Sequence, residues 1–135
     1  MIRTLIHADS RYPINRKVIK KAVEGVFVQF NLESLNFEVS IALVGERKMK
    51  DLSSKFLKDR EKHAVLSFAL EDSSEKSVGF VNPPQAALGL GDVVLCWPWV
   101  VERAANDNVL VDEEVKRLVI HGVKHLLGED HGSLS

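Results

Sequence analysis

The sequence predicts a mixed-sheet α+β domain. Segments patterned as strands and as helices alternate irregularly along the chain. Two strand candidates, 64–70 and 92–97, are separated by a loop with no helical pattern, whereas a regular parallel α/β fold would need a crossover helix there. No repeat, low-complexity tract or linker-like shift in composition divides the sequence, so residues 1–135 read as a single domain. A chain of 135 residues, 45% of them hydrophobic, buries roughly two-thirds of its unfolded surface and needs no disulfide staple. A bound metal would therefore serve function more than folding.

Ile2 to His7 has the composition of a first strand. Val18, Ile19, Ala22, Val23, Val26, Phe27 and Phe30 then recur at spacings of three and four, which describes one apolar face of a helix, with Asn15 as its cap. Phe37, Val39, Ile41 and Leu43 alternate with Glu38, Ser40, Ala42 and Val44, the period of a strand buried on one face. A short helix with Met49, Leu52 and Phe56 facing inward is expected next. Ala64 to Leu70 and Asp92 to Trp97 read as two further strands, joined by a loop containing Gly79, Pro83, Pro84 and Gly91. Pro98 suits the first turn of a helix running toward Ala105, and Asp112, Glu113 and Glu114 mark the acidic start of a last helix reaching Leu127.

Composition narrows the function classes. The lone Cys96 ends the apolar run Val93 to Leu95 and is expected to be a buried, inert thiol, with no disulfide-linked partner. Arg3, His7 and Asp9 interrupt the amino terminus, which lacks the continuous apolar stretch of a secretory signal, so a cytoplasmic location is expected. The region from Ala86 to Val101 contains Asp92 and Pro98 and is too short to span a bilayer, so no membrane partner is expected. A net charge of -1 argues against nucleic-acid binding by overall basicity. Locally the balance differs: Arg47, Lys48, Lys50, Lys55, Lys58, Arg60 and Lys62 outnumber Glu46, Asp51, Asp59 and Glu61 in one segment. That segment is either a solvated helix and loop or a phosphate-binding surface.

The segment from His121 to His131 carries most of the functional information. Residues four apart share a helical face, so His121 and His125 can aim their imidazoles at one point. Gly128 can take the left-handed conformation that ends a helix, which lets the chain double back and bring His131 to the same point. Three neutral imidazoles suit zinc or a neighbouring transition metal, one divalent ion per chain, and leave an open position where a water can be activated. His7 and His63 lack such a context and read as non-ligands.

The spacing also matches the H-E-x-x-H-x-x-G-x-x-H pattern of metzincin peptidases, except that Gly122 stands where those enzymes place the glutamate acting as general base. Glycine cannot take a proton, so the peptidase reading is weak.

His121, Gly122, His125, Leu126, Gly128, Asp130 and His131 match the H-G-x-x-H-L-x-G-Y-D-H motif of the YbeY-type endoribonucleases, with Glu129 in place of the tyrosine. Val65-Leu66-Ser67-Phe68 is similar to that family's T-D-V-L-S-F segment, and the seven residues from Leu90 to Cys96 are similar to its L-G-D-I-x-I-C strand. The chain resembles this family from about Leu43 onward. The resemblance implies an α+β fold, a zinc-type ion on His121, His125 and His131, cleavage of single-stranded RNA, and rRNA and ribosomal subunits as partners. His63-Ala64 replaces the family's Thr-Asp, and Leu57 falls where the family has an arginine, a charge that Lys58 or Arg60 could supply.

Ser67 and Asp92 are candidate substrate-binding residues by this resemblance, with strand pairing or turn capping as the alternative. Lys124, on the metal-bearing helix, either assists in substrate binding or is a solvated lysine. No general acid or base is identified beyond the metal-bound water. Three functions follow: a metal-dependent endoribonuclease in rRNA maturation and ribosome quality control, a zinc-stabilised RNA- or ribosome-binding factor without turnover, and, least favoured, a peptidase.

Overall fold

A computed structural model describes residues 1–59, 61–70 and 88–128. Four strands, β1 (Ile2–Ala8), β2 (Phe37–Val44), β3 (Val65–Ala69) and β4 (Leu88–Cys96), form one sheet in the order β1-β2-β4-β3. β1, β2 and β4 run parallel, and β3 pairs antiparallel with β4 at the edge. Among the described residues four α-helices accompany them: α1 (Arg16–Gln29), α2 (Glu46–Leu52), α3 (Trp97–Asp107) and α4 (Val111–Leu126). This is the mixed-sheet α+β architecture expected. Gly79, Pro83 and Pro84 lie outside the described residues.

Local chemistry accounts for the element starts. Asn15 Oδ1 accepts from the backbone N–H of Lys17 and Val18, at 3.2 and 3.3 Å, and satisfies two of the orphan donors of α1. Pro98 occupies the first turn of α3, where a missing N–H costs nothing. The buried face of α1 is Ile19, Ala22, Val23, Val26 and Phe27, as its periodicity predicts. Val39, Ile41 and Leu43 of β2 point into the same core as Val93 and Leu95 of β4. Burial of these side chains contributes about 1.5–3 kcal/mol apiece. Cys96 is fully buried, and burial pushes its thiol pKa up.

Three features depart from the sequence reading. β4 begins at Leu88, four residues before the expected start, and contains Gly91, which the sequence pattern assigns to the loop. A bulge at Leu90 explains this: Glu38 pairs with Gly89 and Val39 with Gly91, so one residue is left over. Gly91 has φ +140, and a Cβ there would sit 2.2 Å from the Phe68 carbonyl oxygen, so only glycine fits. Phe56, expected to face inward, is 54% exposed. Residues Ser53–Leu57 form a π-helical turn after α2, and its wider winding breaks the phase that would place Phe56 with Met49 and Leu52. Finally, Glu114 is more than an acidic helix start. It is 2% exposed and paired with both Arg103 and Arg117.

The two sheet faces have different surroundings. α4 lies across β3 and β4 and against α1 and α3. Its face of the sheet carries Ile41, Val93 and Ser67, whereas the alternate residues Ala42, Val94, Asp92 and Phe68 point the other way. Among the described residues, no helix is long and apolar enough to cross a membrane.

Candidate metal centre

The buried side of α4 is Glu114, Val115, Leu118, Val119, Gly122 and Val123, a stripe at helical spacing that turns His121 and His125 outward. Both histidines are exposed and lie one turn apart on the same side. The helix closes at Leu127, whose N–H reaches Val123 and Lys124, and Gly128 follows with φ +81 while its N–H donates to the His125 carbonyl at 2.9 Å. The left-handed residue stands where the histidine spacing predicts it. Such a residue ends a helix, here three positions after the second histidine. His131 lies outside the described residues. Two outward imidazoles one turn apart are donors of the kind a zinc-type ion takes.

Gly122 has a packing role that the motif alone does not reveal. A Cβ at this position would lie 2.6 Å from Val93 Cγ1 and 3.2 Å from Ser67 Oγ. Glycine lets the helix settle directly on the sheet. Ser67 Oγ donates to the Gly122 carbonyl at 3.3 Å, so edge strand β3 is tied to the middle of the histidine-bearing turn. Ser67 therefore has a positioning role available in addition to substrate contact.

Of the other candidate substrate residues, Asp92 stands apart from this point. Asp92 pairs in register with Phe68 and points to the opposite face of the sheet from Ser67 and Gly122. Lys58 is exposed and left-handed, φ 56, where it ends the π turn. Lys124 is half-buried on α4. Arg60 lies outside the described residues.

In sequence His63 is a histidine without context, and in the fold it has neighbours. Its Nε2 lies 3.1 and 3.3 Å from the two carboxylate oxygens of Asp59, and Asp59, Glu61 and His63 bring ligand atoms within 4.8 Å of one another, a group that could hold a metal ion. The alternation Asp59-x-Glu61-x-His63 is the available signal, because in extended chain such residues share a face. Ser53 Oγ donates to Asp59 Oδ1 at 2.7 Å, and the Glu61 N–H donates to the same oxygen at 3.1 Å. The Ser53 hydroxyl, helped by His63, holds the Asp59 carboxyl below the usual carboxylate range. A lowered carboxylate pKa stabilises this loop above the unfolded value, and the contribution is lost as pH falls through the folded value. Carbon-detected NMR should show Asp59 titrating below an ordinary aspartate, with Ser53→Ala raising its midpoint. An unchanged midpoint in that variant would remove Ser53 as the main cause.

Residues 6–135 match the family model described as Endoribonuclease YbeY. The chain belongs to the YbeY endoribonuclease family. It is 33% identical over 119 residues to "Endoribonuclease YbeY" of Persephonella marina, covering 87% of this chain and 71% of that relative. It is 37% identical over 100 residues to the protein of the same name from Dehalococcoides mccartyi, covering 71% of this chain and 58% of that relative. The chain thus spans less than two-thirds of some YbeY relatives and somewhat more of others. Its fold is similar to the solution structure of TM1509 from Thermotoga maritima, with a TM-score of 0.56 and 26% identity over 97% of this chain and 75% of that one.

Proposed function

We propose that this chain is a metal-dependent, single-strand-specific endoribonuclease that acts in rRNA maturation and ribosome quality control in the cytoplasm, with rRNA and ribosomal subunits as partners. One zinc ion per chain would be held by His121, His125 and His131, within a single domain spanning 1–135. The observation that carries this reading is the pair of exposed imidazoles one turn apart on α4, followed at once by the left-handed Gly128, in a chain that belongs to the YbeY family. The names printed for the relatives, endoribonucleases, support it. When bound, the ion supplies Lewis acidity toward a phosphoryl oxygen and makes water a stronger nucleophile. The chain's own part is to hold the imidazoles on a rigid turn, brace that turn through Ser67, and position the phosphate backbone through the basic segment between Arg47 and Lys62.

Incubation of metal-replete protein with labelled single-stranded RNA and with casein, each with and without chelator, tests the proposal. Chelator-sensitive RNA cleavage with intact casein is expected; the reverse pattern would establish the peptidase reading. The binding-factor reading is favoured by one observation, the exposed Leu57 where the family has an arginine. Salt-sensitive RNA binding with no cleavage would favour it.

If the basic segment neutralises backbone phosphates, affinity falls as salt rises. Changing Lys58 and Arg60 together to Ala is expected to flatten the slope of log affinity against log salt by roughly one unit for each phosphate no longer neutralised. Filter binding across a salt series measures this. An unaltered slope would take the two residues off the phosphate path.

A further inference from the structure

On the sheet face turned away from α4, a cavity of about 400 Å³ opens between β1, β2, β4, β3 and the α2 region. Its floor is apolar, from Ala42, Val44 and Val94, and Phe56 and Phe68 form an aromatic wall. Those two rings lie 5.2 Å apart at a 59° tilt, and Phe56 is 54% exposed, so ring surface is available to a ligand. His7, Ser40, Lys48 and Asp92 stand around the apolar floor. None of these four side chains hydrogen-bonds or ion-pairs with another described residue. An apolar cavity with a few unengaged polar groups at its edge is the usual form of a small-ligand site, and this one is the size of a nucleoside.

We propose that this pocket binds a guanine base of a single-stranded RNA, a second contact point on the opposite side of the sheet from the histidines. The inference rests on the RNA reading above. Stacking against Phe56 suits any base, because every base has a π face. The polar groups select among them. A carboxylate only accepts, and its two oxygens match the adjacent N1–H and N2–H donors that guanine alone presents. Lys48 and His7 offer donors for the O6 and N7 acceptors of the same base. Adenine has no N1–H and puts an amino group where guanine has O6, so it would leave Asp92 without its paired donors.

The topology lets one strand reach both places. Ser67 and Phe68 are neighbours on edge strand β3, one facing the α4 side and the other facing the pocket. An RNA strand crossing this edge would leave the histidine side and enter the pocket within a short run of nucleotides.

Fluorescence anisotropy with the full chain tests the proposal, in chelator so that the RNA stays intact. The probes are a short oligoadenylate, the same strand with one central guanine, and the same strand with inosine, which lacks the N2 amino group. About tenfold tighter binding of the guanine strand over the adenine strand is expected, with inosine between them. Asp92→Asn should abolish that preference, read as the ratio of the guanine-strand to the adenine-strand affinity. Phe56→Ala, at a half-exposed position, should weaken both strands about fivefold or more. Equal binding of guanine and adenine strands, or a preference that survives Asp92→Asn, would overturn the pocket assignment. Cleavage of RNA by metal-replete protein without any guanine preference overturns the pocket and leaves the nuclease reading standing. Guanine preference with no cleavage supports the pocket and overturns the nuclease.

Discussion

Replacing His121 and His125 together with alanine is expected to lower RNA turnover on the order of a thousandfold, the kinetic equivalent of the several kcal/mol of transition-state charge stabilisation that an ion supplies. On the proposed reading RNA affinity should change little, because the ion would act on the reacting phosphate while the basic segment would hold the rest of the strand. Metal content, expected at about one ion per chain before the change, should fall with turnover. The fold should survive. Both side chains are exposed, and the buried stripe of α4 that anchors the helix is untouched. Elemental analysis, single-turnover cleavage and filter binding on the same preparation separate these effects. Metal content equal to that of the unaltered chain would show that the ion sits elsewhere, with the Asp59, Glu61 and His63 group the next place to look.

Gly122→Glu should destabilise the fold by about 3–5 kcal/mol, because it drives a long side chain and a charge into the contact between α4 and the sheet. Melting should fall on the order of 10–20 °C for a chain of this size. The reason is geometric: even a Cβ would approach Val93 Cγ1 to 2.6 Å, and Gly122 is buried. Gly122→Ala is expected to cost less than the glutamate but still to destabilise, since its Cβ overlaps the fully buried, stiff Val93 and the gain of about 1 kcal/mol in helix propensity offsets only part of that overpacking. Restoring the peptidase glutamate therefore should not restore a peptidase. A Gly122→Glu variant that melts within a few degrees of the unaltered chain and cleaves casein would refute both the packing argument and the exclusion of that chemistry.

The legible parts of the fold are those in which periodicity reports burial directly. α1 and β2 appear where their three-four and two-residue repeats place them, and Asn15 caps α1 through the oxygen its identity suggests. The departures share a cause. The bulge at Leu90 and the π turn at Ser53–Leu57 each disturb a regular count, and no window of residues signals an insertion that exists only to satisfy a neighbouring strand or helix.

The histidine offsets and the glycine that ends their helix were determined by the sequence, because four residues along a helix and one left-handed residue are local geometry. Gly122 was visible as the absence of a base, but its packing against Val93 and Ser67 needed the tertiary structure. The same holds for Asp92. Its motif placed it beside Ser67 in function, whereas strand register placed the two on opposite faces of the sheet. His63 with Asp59, and Glu114 with two arginines, likewise became partners only after folding. A sequence states which residue types are present and their local phase, and the pairing register of strands, which flips a side chain from one face to the other with a single step, is decided only when the strands meet.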